Sequence, residues 1–283
     1  MTRDSPVSRS SKSRVKKKNM LVKDILDCIT AIAPLHWQES YDNAGLQVGD
    51  LNAEAHKALI CLDITEEVVD EAVAKNCNVI VSHHPLIFHG LKHLTPQTYI
   101  ERAVMKAIKH DIAMISMHTN LDNSYLGVSR MLAERLGLKN LRLLQPSVAE
   151  PEVCGAGMIG EFEIPMKETD FLGLVAEQIG SPCLRHSALT GRKIQKVALC
   201  GGSGSPFMPD ALKNHVDAYL TSDIKYHDFF VPEGTILLVD GGHFETEQFT
   251  KELINELIRK KIPTFAAEIA ETRTNAVYYF VKN

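Results

Sequence analysis

Residues 79–90, VIVSHHPLIFHG, join a short apolar run to an adjacent pair of imidazoles. The run is typical of a buried β-strand, and it ends directly at His83 and His84. In parallel α/β sheets, ligands bind beyond the carboxyl ends of the strands. A strand would send adjacent side chains to opposite faces, so we expect the pair on an exit loop that Pro85 holds out of helix. The stretch therefore predicts a functional site at a strand end.

Strand patterns alternate with helical patterns on both sides of this stretch. In the first half, strand patterns at 57–63, 77–85 and 112–122 are separated by helical patterns at 64–76 and 99–111. The second half repeats the order, because KVALCGG, AYLTSDIKYH and ILLVDGGHFETE match ALICLD, VIVSHHP and IAMISMHTNLD. The alternation predicts an α/β fold with mostly parallel sheets, and the match suggests an internal duplication.

These patterns divide the chain into four parts. Residues 1–19 hold seven basic side chains against Asp4 and few apolar ones, which predicts a disordered basic extension. Residues 20–137 are expected to form a first α/β unit, 138–157 a connector and 158–283 a second α/β unit.

Charge and cysteine usage limit the classes of partner. The net charge is −4, and a charge of +6 on residues 1–19 leaves −10 on the rest. An acidic body argues against a large nucleic-acid footprint, although the basic extension leaves a nucleic-acid arm or an organelle-targeting peptide open.

The six cysteines form no CxxC pair, so we expect reduced thiols in a cytoplasmic protein. No apolar run reaches the roughly 18–20 residues that span a membrane, so no membrane partner is predicted.

Metal-binding side chains follow four of the predicted strands. They are His83 and His84, His118 and Asp122, Asp223 and His227, and His243 and Glu247. Imidazole and carboxylate groups are the usual ligands of zinc, iron and manganese. The spacing of four residues between His243 and Glu247 places both on one face of a helix, and a carboxylate can bridge two ions. Because several strand ends each offer two candidate ligands, the sequence predicts two divalent ions.

Other catalytic chemistries have weaker support. The glycine-rich stretch CGGSGSPF at 200–207 lacks the GxxxxGK[ST] pattern of a nucleotide-binding loop. It is consistent with a tight strand-to-helix turn, and an anion cradle formed by backbone N–H groups stays open. The sequence also has no GxSxG elbow. Metal-dependent chemistry is therefore favoured.

Five motifs together resemble the NGG-interacting-factor-three-like family, whose members are often filed as type 2 GTP cyclohydrolase I. The motifs are LHWQESYDNAGLQVGD, VSHHPLIFHGLKHL, MHTNLDNSYLGV, TSDIKYHDF and DGGHFETE. The resemblance runs from about Met20 to the C-terminus and implies two intertwined three-layer α/β/α units. The short interval between Leu138 and Met158 implies the form without an inserted domain. The resemblance also implies a toroidal homo-hexamer, a trimer of dimers, with metal sites facing its cavity.

The resemblance further implies which residues form the site. The metal ligands fall on His83, His84, Asp122, His243 and Glu247. His118 would lie beside the ions as a catalytic group or an additional ligand, and His227 would act as an acid or base.

Two functions are consistent with such a site. One is a metal-dependent hydrolase that acts on the purine ring of GTP or on a phosphoester. The other is a non-enzymatic metal-binding scaffold, regulatory protein or metal-trafficking protein. A substrate pocket and open coordination positions would favour the enzyme.

Overall fold

A computed structural model describes residues 19–280. The predicted basic extension, residues 1–19, lies outside this range except for Asn19. In the described range, strands and helices alternate and form two sheets, which confirms the predicted α/β class. None of the helices within it is long and apolar enough to cross a membrane.

The described residues form eleven strands and nine α-helices. The strands are β1 Gly45–Val48, β2 Lys57–Cys61, β3 Val79–Ser82, β4 Ala113–Ser116, β5 Lys139–Pro146, β6 Gly155–Lys167, β7 Arg185–His186, β8 Lys193–Leu199, β9 Ala218–Thr221, β10 Leu237–Asp240 and β11 Ala266–Ile269. The helices are α1 Val22–Thr30, α2 Glu66–Ala74, α3 Tyr99–Lys109, α4 Thr119–Asp122, α5 Val128–Arg135, α6 Glu168–Ile179, α7 Met208–Lys213, α8 His243–Glu247 and α9 Thr250–Lys261.

The first sheet has the strand order β1-β4-β3-β2-β11. Its last four strands run parallel, and β1 is antiparallel at the edge beside β4. All four residues of β3 are buried, as expected for a strand covered on both faces. Helices α1 and α9 pack on one face of the sheet, and α2 and α3 pack on the other. These contacts form the three-layer arrangement predicted for the first unit.

The second sheet has the order β5-β6-β8-β9-β10-β7. Only β8, β9 and β10 run parallel, whereas β5, β6 and β7 pair antiparallel. The prediction of mostly parallel strands was therefore wrong for this sheet. The predicted connector, 138–157, contains β5 and the start of β6. These two strands form a hairpin that buries Leu143 and Met158 against α5 and α6.

The C-terminal part of the predicted second unit returns to the first sheet. β11 pairs with β2, in the register Glu268 beside Leu59. The apolar stripe of α9 packs Ile254 and Ile258 into the first core, where both are fully buried. The predicted boundaries of 20–137 and 158–283 therefore do not separate the two sheets. The physical reason is that β11 covers the edge of β2, which the first unit alone would leave open.

Both sheets contain the same arrangement of strands. In each, three consecutive parallel strands lie side by side, and the third is flanked by an antiparallel strand that precedes all three in the chain. The first set is β2, β3 and β4 with β1, and the second is β8, β9 and β10 with β7. The strand matches read from the sequence correspond to this repeat.

Glu71 on α2 connects this helix to the segment that follows β11. Its carboxylate accepts hydrogen bonds from the backbone N–H of Glu271 at 2.8 Å and of Thr272 at 2.9 Å, and it pairs with Lys75 at 2.9 Å. Burial would raise the pKa of Glu71, but hydrogen bonds from Thr272 and the other donors lower it to about 2. The folded chain thus binds this proton more weakly than the unfolded chain.

We expect this anchor to contribute to stability at neutral pH. The contribution is fully present above the unfolded pKa of about 4.5 and is lost as the pH falls towards 2. Urea unfolding at pH 7 should show a lower midpoint for Glu71→Gln, and the difference from the unchanged protein should shrink at pH 3. Glu134→Gln, which removes an exposed pair with Arg130, is the control. Equal midpoints at pH 7 would contradict the prediction.

Candidate metal centre

The site lies where strand ends of the two sheets meet. The exit of β3 supplies His83 and His84, and α4, which follows β4, ends at Asp122. From the second sheet, α8 follows β10 and supplies His243 and Glu247. The structure therefore brings together all five residues predicted as metal ligands.

The imidazole pair is held by the backbone around the end of β3. The N–H groups of His83 and His84 both donate to the carbonyl of Leu62, at 3.2 and 3.0 Å. The hydroxyl of Ser82 donates to the carbonyl of His84 at 2.8 Å. Pro85 follows, and its restriction on the preceding residue keeps the loop out of helix. The loop is therefore fixed before any ligand binds.

Glu247 lies between two groups of candidate ligands. Its Oε1 atom lies 3.7 Å from Nε2 of His83, which is itself 3.6 Å from Oδ1 of Asp122. Its Oε2 atom lies 2.9 Å from Nε2 of His84 and 3.0 Å from Nε2 of His243. Each group offers three ligand atoms within 4.8 Å of one another. One carboxylate thus faces both groups, with a different oxygen towards each.

The group around His83 has the form expected of a cation site. The Nε2 atom of His83 and the Oδ1 atom of Asp122 are buried and have no hydrogen-bond partner. Unpaired buried polar atoms of this kind are costly. Two ligands bound tetrahedrally to one zinc ion are separated by about 3.4 Å, close to the observed 3.6 Å. The residues present therefore fit a divalent ion.

Every histidine of the cluster is oriented by a contact to its Nδ1 atom. Those contacts are His83 to the Met117 carbonyl at 2.8 Å, and His84 to Asp63, His118 to Asp42 and His243 to Asp223, each at 2.7 Å. The Nε2 atoms are left to face the cluster. Outer contacts of this kind fix the tautomer of metal-binding histidines and increase their basicity.

The electrostatics of the cluster favour bound protons. Burial would lower the pKa of His84, but hydrogen bonds to Asp63 and Glu247 raise it to about 10. Burial would also lower the pKa of His243, but the charge of Glu247 raises it to about 11. Burial and the charge of Glu247 raise the pKa of Asp122 to about 7. A cation would replace protons at these positions.

His118 stands beside the cluster, as predicted for a catalytic group or additional ligand. It precedes α4, and its ring centroid lies 5.4 Å from those of His83 and His84. Burial would raise the pKa of its partner Asp42, but hydrogen bonds from His118 and Thr119 lower it to about 2. Asp42 therefore stays ionised near neutral pH and holds the orientation of the His118 ring.

His227 does not reach the cluster in this chain. It lies in the 3-10 helix Tyr226–Phe230, and its exposed ring packs on Tyr226 and Phe230. The backbone turns at Asp223, where φ is +55°, so Asp223 reaches the site and orients His243. The structure thus gives no support to the predicted acid or base role of His227 in the same chain.

A cavity of about 440 Å³ opens beside the cluster. His84, His118 and His243 line its base, and Phe88 and Phe244 contribute aromatic walls. The remaining lining residues are Leu62, Asp63, Pro85, Thr274, Asn275, Ala276 and Val277. The cavity is mostly apolar with a few polar groups, as ligand sites usually are.

Sequence reasoning missed several residues of this site. Asp63 lies two residues after the end of β2, and the rule that found the other strand-end residues could have found it. Asp42 lies within the YDNAG motif but far from the predicted strand ends. The cavity wall formed by 274–277 follows β11, whose return to the first sheet was not predicted.

We expect Asp63→Asn to weaken metal binding without removing a ligand. Asp63 accepts from Nδ1 of His84 and from the hydroxyl of Thr274, both at 2.7 Å. Loss of such an outer carboxylate typically costs about 10–100-fold in metal affinity. Zinc competition with a chromophoric chelator measures the change, and Asp70→Asn on the exposed face of α2 is the matched control. Equal affinities for Asp63→Asn and the unchanged protein would contradict the role.

Two curated relatives cover most of this chain. A protein of Clostridium acetobutylicum is 34% identical over 232 residues, which is 81% of this chain and 86% of the relative. A protein of Clostridium perfringens is 32% identical over 265 residues, 93% of this chain and 100% of the relative. Both relatives are named GTP cyclohydrolase 1 type 2 homolog.

Solved structures share the fold. A hypothetical protein of Staphylococcus aureus superposes with a TM-score of 0.86 at 28% identity, covering 93% of this chain and 100% of that one. A Bacillus cereus protein related to NIF3 has a TM-score of 0.85 at 23% identity and equal coverage, which shows the fold alone. The family model described as Duf34/NIF3 (NGG1p interacting factor 3) matches residues 20–276. As the sequence motifs predicted, this chain belongs to the NGG1p interacting factor 3 family.

Proposed function

We propose that this protein is a hydrolase that depends on two divalent metal ions. The proposal depends mainly on the position of Glu247, because its two carboxylate oxygens face separate ligand groups. The unpartnered Nε2 of His83 and Oδ1 of Asp122 add to it, since a cation would satisfy both. Nitrogen and oxygen ligands of this kind suit zinc, iron and manganese.

Each ligand has a defined place in this proposal. His83 and Asp122 would hold one ion, and His84 and His243 would hold the other, with Glu247 bridging both. When bound, such a pair of ions lowers the pKa of a reacting water and stabilises charge on substrate oxygens. Each group supplies three protein ligands, so an ion held there would keep coordination positions for water or substrate, as in catalytic sites.

His118 is the group we assign to proton transfer. Its Nδ1 atom is held by ionised Asp42, and the ring lines the cavity. A histidine within reach of the reacting groups can accept a proton from water and return it to the leaving group. Asp42 keeps the ring in one orientation during both steps.

The cavity favours a substrate with a planar ring. Phe88 comes from the first half of the site and Phe244 from the second, so both halves contribute an aromatic wall. Asn275 and Thr274 supply polar groups near the same space. Together with the names of the relatives, this supports a GTP-cyclohydrolase-like reaction, and a phosphoesterase uses the same ligand types. The toroidal homo-hexamer and the cytoplasmic location implied by the sequence stay predictions.

A screen of metal-loaded protein tests the proposal. Protein stripped by chelation is reloaded with zinc, ferrous iron or manganese, and bound metal is counted. GTP, other nucleotides and phosphodiesters are then assayed for ring opening and for phosphate release. We expect two ions per chain and turnover of at least one substrate class, lost again on chelation.

Two variants separate the outcomes of this screen. His84→Ala should lose turnover and at least one bound ion. His186→Ala removes an exposed histidine on β7 and should keep turnover and the full number of bound ions. Activity that survives in His84→Ala would point to a contaminant. Failure of the protein to bind any transition metal after reloading would contradict the proposal. Two bound ions with no turnover would instead support the non-enzymatic scaffold or metal-trafficking role.

A further inference from the structure

The loop after β8 contributes no ligand side chain, yet it lies against the bridging carboxylate. Gly202 in this loop has φ +61°, a left-handed conformation that favours glycine. A Cβ atom built on Gly202 would overlap Oε1 of Glu247 and lie 2.8 Å from its Cδ. The carboxylate thus occupies the space that a side chain at 202 would take.

The backbone of Gly202 is held by hydrogen bonds, so the carboxylate is the partner that would have to move. The N–H of Gly202 donates to Oγ1 of Thr246 at 3.0 Å. Its carbonyl accepts from the N–H of Ser222 at 2.9 Å and from Oγ1 of Thr221 at 3.0 Å. Glu247 is only 4% exposed. Any side chain at 202 would therefore displace the carboxylate.

The two carboxylate oxygens are affected unequally. The Cβ atom would overlap Oε1 but lie 3.4 Å from Oε2, an ordinary contact distance. Oε1 faces His83, whereas Oε2 faces His84 and His243. The steric overlap therefore affects the oxygen that faces the ligand group containing His83.

We propose that Gly202 is a positioning residue, whose lack of a side chain lets Glu247 serve both ligand groups at once. The inference rests on the proposed two-ion site. The glycine-rich motif at 200–207 thereby has a role different from a nucleotide loop or an anion cradle. It leaves room for a carboxylate of the same chain.

The test is metal stoichiometry in Gly202→Ala. Zinc bound per chain is measured by elemental analysis after equilibrium dialysis, and stepwise affinities are measured by chelator competition. We expect the unchanged protein to bind two ions and Gly202→Ala to bind one, with the second weakened by at least tenfold. If the unchanged protein does not bind two ions, the proposed function fails. If it binds two and the variant binds two with equal affinity, the positioning role fails.

Double variants identify which ion is lost. Asp122→Asn removes a ligand of the His83 group, and His243→Ala removes one of the other group. The retained ion should persist in Gly202→Ala/Asp122→Asn and disappear in Gly202→Ala/His243→Ala. The reverse result would overturn the assignment of Oε1 to the affected ion.

Gly180→Ala controls for backbone strain alone. Gly180 has φ +66°, close to that of Gly202, but a Cβ atom there would meet only Nε2 of Gln248, at 4.0 Å. We expect Gly180→Ala to bind two ions. Loss of one ion in this variant would show that left-handed strain rather than the carboxylate contact explains the result.

A thermal unfolding cycle on metal-free protein keeps the inference testable if Gly202→Ala folds poorly. Glu247→Ala removes the carboxylate that the new methyl group would meet. The drop in melting temperature caused by Gly202→Ala should therefore be smaller in the Glu247→Ala background than in the unchanged one. Equal drops in both backgrounds would show that Glu247 does not occupy the space at Gly202.

Discussion

Replacing Glu247 with glutamine is expected to reduce bound metal from two ions to one or none. The substitution keeps the size of the side chain but removes its charge and replaces one of the two oxygens, each of which faces a different ligand group. Loss of an outer carboxylate typically costs about 10–100-fold in affinity, and loss of a shared ligand should exceed that for at least one ion. Elemental analysis after dialysis measures the stoichiometry.

A neighbouring glutamate on the same helix provides a matched control for this substitution. Glu245 is as buried as Glu247, at 2% and 4% exposure, but it accepts a hydrogen bond from Asn275 and belongs to neither ligand group. Glu245→Gln should keep both ions. Unchanged stoichiometry and affinity in Glu247→Gln would remove Glu247 from the ligand set.

The affinity of the His84–His243 group for metal is expected to fall steeply as the pH is lowered. The pKa values of about 10 and about 11 mean that, without metal, both histidines are positively charged imidazolium groups near neutral pH. An ion binds neutral imidazole, so both protons must leave. Each released proton changes the metal affinity about tenfold per pH unit. The release of two protons therefore predicts a change in affinity of roughly 100-fold per pH unit between pH 8 and 6.

Calorimetry in buffers of different ionisation enthalpy measures these protons directly. The heat of zinc binding should vary with the buffer by an amount equal to about two protons for this ion. In His243→Ala the ion, if it binds at all, should release about one. A heat that does not depend on the buffer would show that the histidines are already neutral and would contradict the prediction.

Local patterns predicted the α/β class and most strand ends because these depend on short-range periodicity. The first three residues of VIVS are apolar, and all four residues of β3 are buried. The pairing of β11 with β2 was missed because it joins residues far apart in the chain, and no local signal specifies a sheet neighbour. The β5–β6 hairpin was missed because LRLLQP mixes exposed and buried positions without a clear period.

The same distinction applies to the site. Strand-end positions identified eight candidates, and the resemblance to the family selected five of them as ligands. Asp42 was missed because its role depends on a three-dimensional contact to His118, whereas Asp63 lies near a strand end and could have been included. His227 lies away from the cluster in this chain because the backbone turns at Asp223, which sequence order alone does not show.

The pairing of β11 with β2 also determines when the first sheet can be completed during synthesis. Ala266 follows Cys61 by 205 residues, so at roughly 5–20 residues per second β2 waits about 10–40 s for its neighbour. Glu247 precedes β11 in the chain, so all the candidate ligands emerge before that edge is closed. On the ribosome, the metal-binding residues are therefore complete before the sheet that supports them.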